Sequence, residues 1–314
     1  MSTPRDQNQD INIDTKGKAD RPFDILVRST RSPAREVIPA HSERLAKGSH
    51  VFQSMLELGS ITPNDTSESQ LPIVEVDERY EILVLLVNLL ESPPQLPPAT
   101  VTSCVPSSSV PSKDDPPGTV LPWPLVTTLL DTADKYDFTD NILALLHAHL
   151  QSHASSQPLP VYALASRLGL SSIASHASSF LLHPPMHQYS VSEIKLLPSA
   201  ISYHLLLILQ TRRLENLKQT LENEMLFPHD YGACSKHGTG PAKSVWEARK
   251  EVVLSHVNAS SSIADMMAYD GETKQQLKDC AECCLGWERA VEMIRYKAGK
   301  VVREIGQLPK SELQ

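Results

Sequence analysis

The sequence predicts an α+β protein: a small sheet with helices first, then an all-α C-terminal domain that ends in a long helix. Three observations carry this. The three segments that read as strands all lie before residue 77. Residues 92–123 hold nine prolines and six serines, a composition that no packed element tolerates. Beyond Pro160 nearly every segment repeats its apolar residues at helical spacing. A length of 314 residues suits roughly two domains. The organisation expected is a disordered leader at 1–21, a first domain at 22–153 interrupted at 92–123, a helical domain at 158–307 and a tail at 308–314.

Residues 23–30 (FDILVRST) and 35–40 (REVIPA) read as two strands joined through the Ser32-Pro33 turn, hence a hairpin. Two short helices follow, at 42–47 and 49–58. Ser49 suits the N-cap of the second, and Val51, Phe52, Met55 and Leu56 form its apolar stripe. Residues 59–70 are a polar loop. A third strand spans 71–76 (LPIVEV), and Asp77 is expected to cap a mostly buried helix that Pro93-Pro94 stops near residue 91. Helices resume at 124–136 and 139–153. The second half predicts helices at 161–168, 171–182, 192–197, 199–223 and 243–257, with a Gly-rich irregular stretch at 228–243. Leu277, Cys280, Cys284, Trp287, Val291, Ile294, Ala298, Val301 and Ile305 alternate spacings of three and four, which predicts one helix over 272–305, about 50 Å long.

Composition excludes several classes. There are 29 Lys+Arg against 37 Asp+Glu, a formal net charge of −8. With a pI near 5.8 this argues against nucleic-acid binding, which needs clustered cations. The longest apolar run, 82–90, is interrupted by Asn88 and falls short of a membrane span. The first 21 residues lack an apolar segment and are not read as a signal peptide, so an intracellular location, cytoplasm or nucleus, is expected and the sequons at Asn64 and Asn258 are idle. Five cysteines in such a chain suggest thiols or a metal rather than a disulfide framework.

The order strand–strand–helix–helix–strand–helix–gap–helix–helix, with Phe23-Asp24-Ile25 opening the first strand, resembles the BTB/POZ domain. The string AHSERLAKGSHVFQSML fills every fixed position of the pattern A-H-x-x-x-L-x-x-x-S-x-x-F-x-x-M-L, through Ala40, His41, Leu45, Ser49, Phe52, Met55 and Leu56. The resemblance covers 23–153 less the insertion. Downstream, VYALASRLGLSSIASHASSFLL resembles the helices that follow the BTB domain in a fungal set of such proteins, in which a C-terminal helix commonly carries paired cysteines and a Trp. Where that family has an aromatic and a Tyr-Thr-Gly turn at a helix end, this chain has residues 87–92 and then the insertion. The resemblance implies homodimerisation through the first strand and first helices, with Phe23, Ile25, Leu45, Val51, Phe52 and Met55 supplying or supporting the apolar surface. It also implies that His41 packs and hydrogen-bonds at a strand end rather than acting as a base.

The expected function is therefore that of a non-enzymatic protein-interaction adaptor: a BTB-mediated homodimer whose helical half binds other, unidentified proteins, with no nucleic acid and no membrane. The alternatives are a substrate adaptor of a cullin-type ubiquitin ligase, a zinc- or thiol-dependent enzyme, and a transcription regulator. No cofactor is expected beyond a structural zinc. Cys234, His237, Cys280 and Cys283 form two pairs at x-x spacing, compatible with a tetrahedral site of three thiolates and one imidazole. The same residues also read as buried free thiols, since Cys280 lies on the apolar seam, or as an oxidised pair. His147, His149 and His153 read as a solvated helix face. The stretch 238–244 ends in Lys-Ser but lacks the spacing and the preceding strand of a phosphate loop.

Overall fold

The computed structural model describes residues 22–32, 36–58, 71–98, 119–228, 233–236, 238–278, 280–309 and 311. The expected leader at 1–21, the polar loop at 59–70 and most of the Pro/Ser-rich insertion lie outside them. The fold is α+β and mostly helical, with a small three-stranded mixed sheet near the N-terminus and an all-helical C-terminal part. Two units are present: 1–94 with 128–143, and 95–127 with 144–314.

In the first unit, β1 (Ile25–Ser29) is the central strand. It pairs antiparallel with β2 (Val37–Ala40) and parallel with β3 (Ile73–Val76), giving the order β2-β1-β3. Alternation along β1 buries Ile25, Val27 and Ser29 on one face, while Arg28 on the other forms an ion pair with Glu75 of β3. Between β2 and β3 the chain makes α1 (Ser42–Gly48) and α2 (His50–Glu57). Ser49 sits between them and accepts from the Phe52 backbone N–H at 3.2 Å, the N-cap that its residue type predicts. Leu45, Phe52, Val74, Leu83, Leu86 and Val87 form the core, the last three from α3 (Tyr80–Glu91).

One cap differs from expectation. α3 starts at Tyr80 behind Arg79, and Asp77 does not cap it. Asp77 instead takes the Arg31 guanidinium on both carboxylate oxygens, at 2.7 and 2.8 Å. With both its oxygens engaged by one guanidinium, this carboxylate is not turned to the backbone N–H groups of the helix end.

The next helices, α4 (Trp123–Tyr136) and α5 (Asp140–Ser152), fall where periodicity places them. The solvated histidine face does not. His149 is fully buried, and its Nδ1 accepts from the Leu121 backbone N–H at 3.2 Å. His153, one turn on, meets the Leu121 carbonyl at 2.7 Å through Nε2. The i,i+4 pair clasps both polar groups of one residue, which a helix read alone cannot reveal.

α6 (Pro158–Arg167) begins on its prolines, whose missing N–H groups cost nothing in a first turn. Gly169, at φ +72°, ends it and leads to α7 (Ser171–Ser178), four residues shorter than expected. α8 (Val191–Ile194) carries a Ser190/Glu193 capping box, and α9 (Ala200–Glu222) is capped by Ser199. α10 (Gly240–His256), α11 (Ile263–Met266), α12 (Gly271–Gln276) and α13 (Ala281–Ala298) complete the unit.

The single 50 Å helix expected over 272–305 is two helices. Lys278 takes φ +52° and Cys280 is extended, so α12 and α13 are separate and α13 spans 18 residues, about 27 Å. Trp287, Val291 and Ile294 keep their expected places in the buried stripe of α13, which Cys283 and Ala290 join, while Cys280 and Cys284 are only half-buried. Trp287 stacks edge-on against Trp246 of α10 at 4.8 Å and donates from Nε1 to the Met267 carbonyl at 2.7 Å. Around this pair lie Leu217, Leu221, Val253, Met267 and Ile294. No helix among the described residues is long and apolar enough to cross a membrane.

Candidate functional site

Three cysteine side chains converge at the N-terminus of α13. Two separate backbone devices bring them there. Ahead of α10 the chain closes a tight turn in which the Gly238 N–H donates to the Cys234 carbonyl at 2.8 Å. Gly238 sits at φ +61°, the left-handed conformation that a glycine adopts at little cost. Ser235 then fastens the turn to α13: its backbone N–H donates to Glu282 at 2.8 Å and its hydroxyl to the same carboxylate at 2.9 Å. The second device is the helix start itself. Cys280 is the N-cap residue of α13 and Cys283 lies three residues on, so both side chains point into one space.

The sulfurs of Cys234 and Cys280 are 3.5 Å apart, and all three sulfurs lie within 4.8 Å of one another. That is far beyond the roughly 2.05 Å of a disulfide, and none of the three is in a disulfide. Cys234 and Cys283 are buried and Cys280 is half-buried. The environment splits their acidities. The backbone N–H of Cys283, in the open first turn of α13, holds the Cys280 thiol well below its ordinary range. Burial pushes the Cys283 thiol up. Such a cluster can hold a soft cation or exchange thiol for disulfide. Its neighbour Cys284 takes no part, since it faces Glu288, with 3.4 Å from Sγ to the carboxylate.

The expected set of four is thus represented by Cys234, Cys280 and Cys283, while His237 lies outside the described residues. Of the glycines in the Gly-rich stretch at 228–243, Gly238 makes the turn, Gly240 opens α10, and Gly232 also lies outside the described residues.

The N-terminal motif residues divide into core, cap and surface. Ile25, Leu45 and Phe52 are buried, Val51 and Met55 are half-buried, and Phe23 is 47% exposed. Asp24 accepts from the Ser42 backbone N–H at 2.7 Å and from its hydroxyl at 2.6 Å, tying β1 to the start of α1. His41 stands between β2 and α1, with its Nδ1 2.7 Å from a Glu91 carboxylate oxygen that Arg44 also reaches at 3.3 Å. Glu91 is the partner that spacing could not disclose, since it lies fifty residues away on α3.

No protein-family model matches this sequence, and no curated protein matches it.

Proposed function

We propose that this chain is a non-enzymatic protein-interaction adaptor, with a BTB-like N-terminal unit that pairs two copies and a helical half that binds another protein. The observation that carries the reading is the agreement between the motif and the work its residues do. Leu45 and Phe52 fill the core, Ser49 caps α2, and His41 engages Glu91 at the end of β2. The order β2-β1-β3, with α1 and α2 inserted before the parallel third strand, accords with the element order on which the resemblance rests. Phe23 offers a half-exposed apolar ring next to the first strand, tilted against the His41 ring with centroids 4.8 Å apart. Apolar surface of this kind is what a second copy would cover, and a stable homodimer buries about 2,000 Å² or more in total.

Light scattering on the full chain at micromolar concentration tests the reading. A dimer is expected, converted to a monomer of unchanged circular dichroism by Phe23→Glu combined with Met55→Glu. A wild-type monomer at that concentration would refute pairing.

A further inference from the structure

We propose that Cys234, Cys280 and Cys283 are thiolate ligands of one zinc ion, which fastens the loop ahead of α10 to the N-terminus of α13. Zinc–sulfur bonds of about 2.3 Å meeting at tetrahedral angles place neighbouring sulfurs roughly 3.8 Å apart. The 3.5 Å between Cys234 and Cys280, with the third sulfur inside 4.8 Å, already approaches three corners of that figure. A disulfide reading needs the same two sulfurs to close to about 2.05 Å, and it leaves Cys283 without a role in the cluster.

The surroundings favour an ion over ordinary packing. A cysteine that serves as a small hydrophobe packs against hydrocarbon. Cys234 lies in the apolar core of this unit, yet it also has the Cys280 sulfur 3.5 Å away, in a turn held by a left-handed glycine and by two hydrogen bonds from Ser235 to Glu282. The adjacent thiol provides an internal contrast. Cys284 belongs to the same helix turn yet points to Glu288, so the convergence is selective. Soft thiolates in a tetrahedral arrangement suit zinc, which has no electronic preference that the protein must meet. On binding, each thiol that ligates gives its proton to solvent as its sulfur–zinc bond forms, with no change of oxidation state. Three sulfur corners suffice to locate the ion; the candidate fourth donor from the sequence, His237, lies outside the described residues.

The ion would act structurally. α13 supplies Trp287, Val291 and Ile294 to the core of the helical unit, and the zinc would hold its first turn to the turn at Cys234.

The test uses the full chain, purified under reducing conditions without added metal. Elemental analysis should find one zinc per chain. After chelation, cobalt(II) should restore a thiolate-to-cobalt charge-transfer band in the near ultraviolet and a tetrahedral visible spectrum. Cys234→Ser and Cys280→Ser should lose the bound zinc, and Cys284→Ser should keep it. Reduced wild-type protein that takes up neither zinc nor cobalt would overturn the assignment. So would metal retained in full by folded Cys234→Ser, or a Cys234–Cys280 disulfide in the purified metal-free chain. The cobalt spectrum of the wild type decides the matter even if a serine variant fails to fold.

Discussion

Arg213 donates from Nη1 to the backbone carbonyl of Val302 at 2.9 Å, eighty-nine residues further along the chain. Its Nε donates to the Ala259 carbonyl at 2.6 Å and its Nη1 also reaches Val301 at 3.3 Å. One buried guanidinium on α9 therefore gathers the chain segments that leave α10 and α13. Each carbonyl it satisfies would otherwise lose its partner away from water, at a cost of about 1–3 kcal/mol. Arg213→Met, which keeps the aliphatic stem, is expected to lower unfolding stability by about 3 kcal/mol in urea. A loss below about 1 kcal/mol would mean that water replaces the guanidinium freely.

Gly286 marks a close approach within the same unit. A Cβ there would stand 2.6 Å from Cε1 of Phe227, whose ring is packed in the core. Gly286→Ala gains about 1 kcal/mol of helix propensity but must displace that ring, and overpacking costs about 1–3 kcal/mol. A net loss near 1 kcal/mol is expected in thermal unfolding. Gly271→Ala, where the added carbon meets nothing within 4 Å, should leave the melting temperature nearly unchanged.

Ser49 has two duties. It caps α2 through Phe52, and its hydroxyl donates to the Tyr136 carbonyl. Ser49→Ala should destabilise by about 1–2 kcal/mol, the usual cost of a lost cap. Ser49→Asp should do worse, although Asp is an equally good cap on an exposed helix. The site is fully buried, and the carboxylate would face the Tyr136 carbonyl. If Asp instead rescues the Ala variant, the hydroxyl acts as a cap alone.

The Leu121 clasp should be sensitive to acid. Burial holds His149 below its ordinary value of 6.5, and burial acts on His147 in the same direction. Well above pH 6.5 these groups are neutral in both folded and unfolded chains, and pH has no leverage through them. As pH falls below that value the unfolded chain takes up protons first, so stability declines, by at most about 1.4 kcal/mol per pH unit for each histidine. Stability measured from pH 7.5 down to 5.5 should show this decline, and His149→Phe should flatten part of it. An equal slope in that variant would place the sensitivity elsewhere.

Much of the N-terminal unit was legible in the sequence, because its elements are short and announce themselves locally. Alternation marks β1, Ser49 marks the start of α2, and paired prolines end α3. The C-terminal helices were legible as helices but not in their limits. The stretch 277–280 includes no glycine or proline, and the left-handed conformation of Lys278 is one that its residue type does not announce. Nor was the choice between the paired cysteines legible: residues 283 and 284 differ by one step of about 100° and flank the stripe through Trp287, and packing buries Cys283 while Cys284 meets Glu288.

The sequence by itself determined the fold class, the three strands, the helical nature of the second half, and the candidacy of Cys234, Cys280 and Cys283, because these follow from residue type and periodicity. Only the tertiary structure decided which partners those residues meet: Glu91 for His41, Arg31 for Asp77, Leu121 for His149 and Cys234 for Cys280. Each partner lies 28 or more positions away along the chain. Pairings at that range are chosen by the packing of whole elements, for which a linear pattern holds no signal.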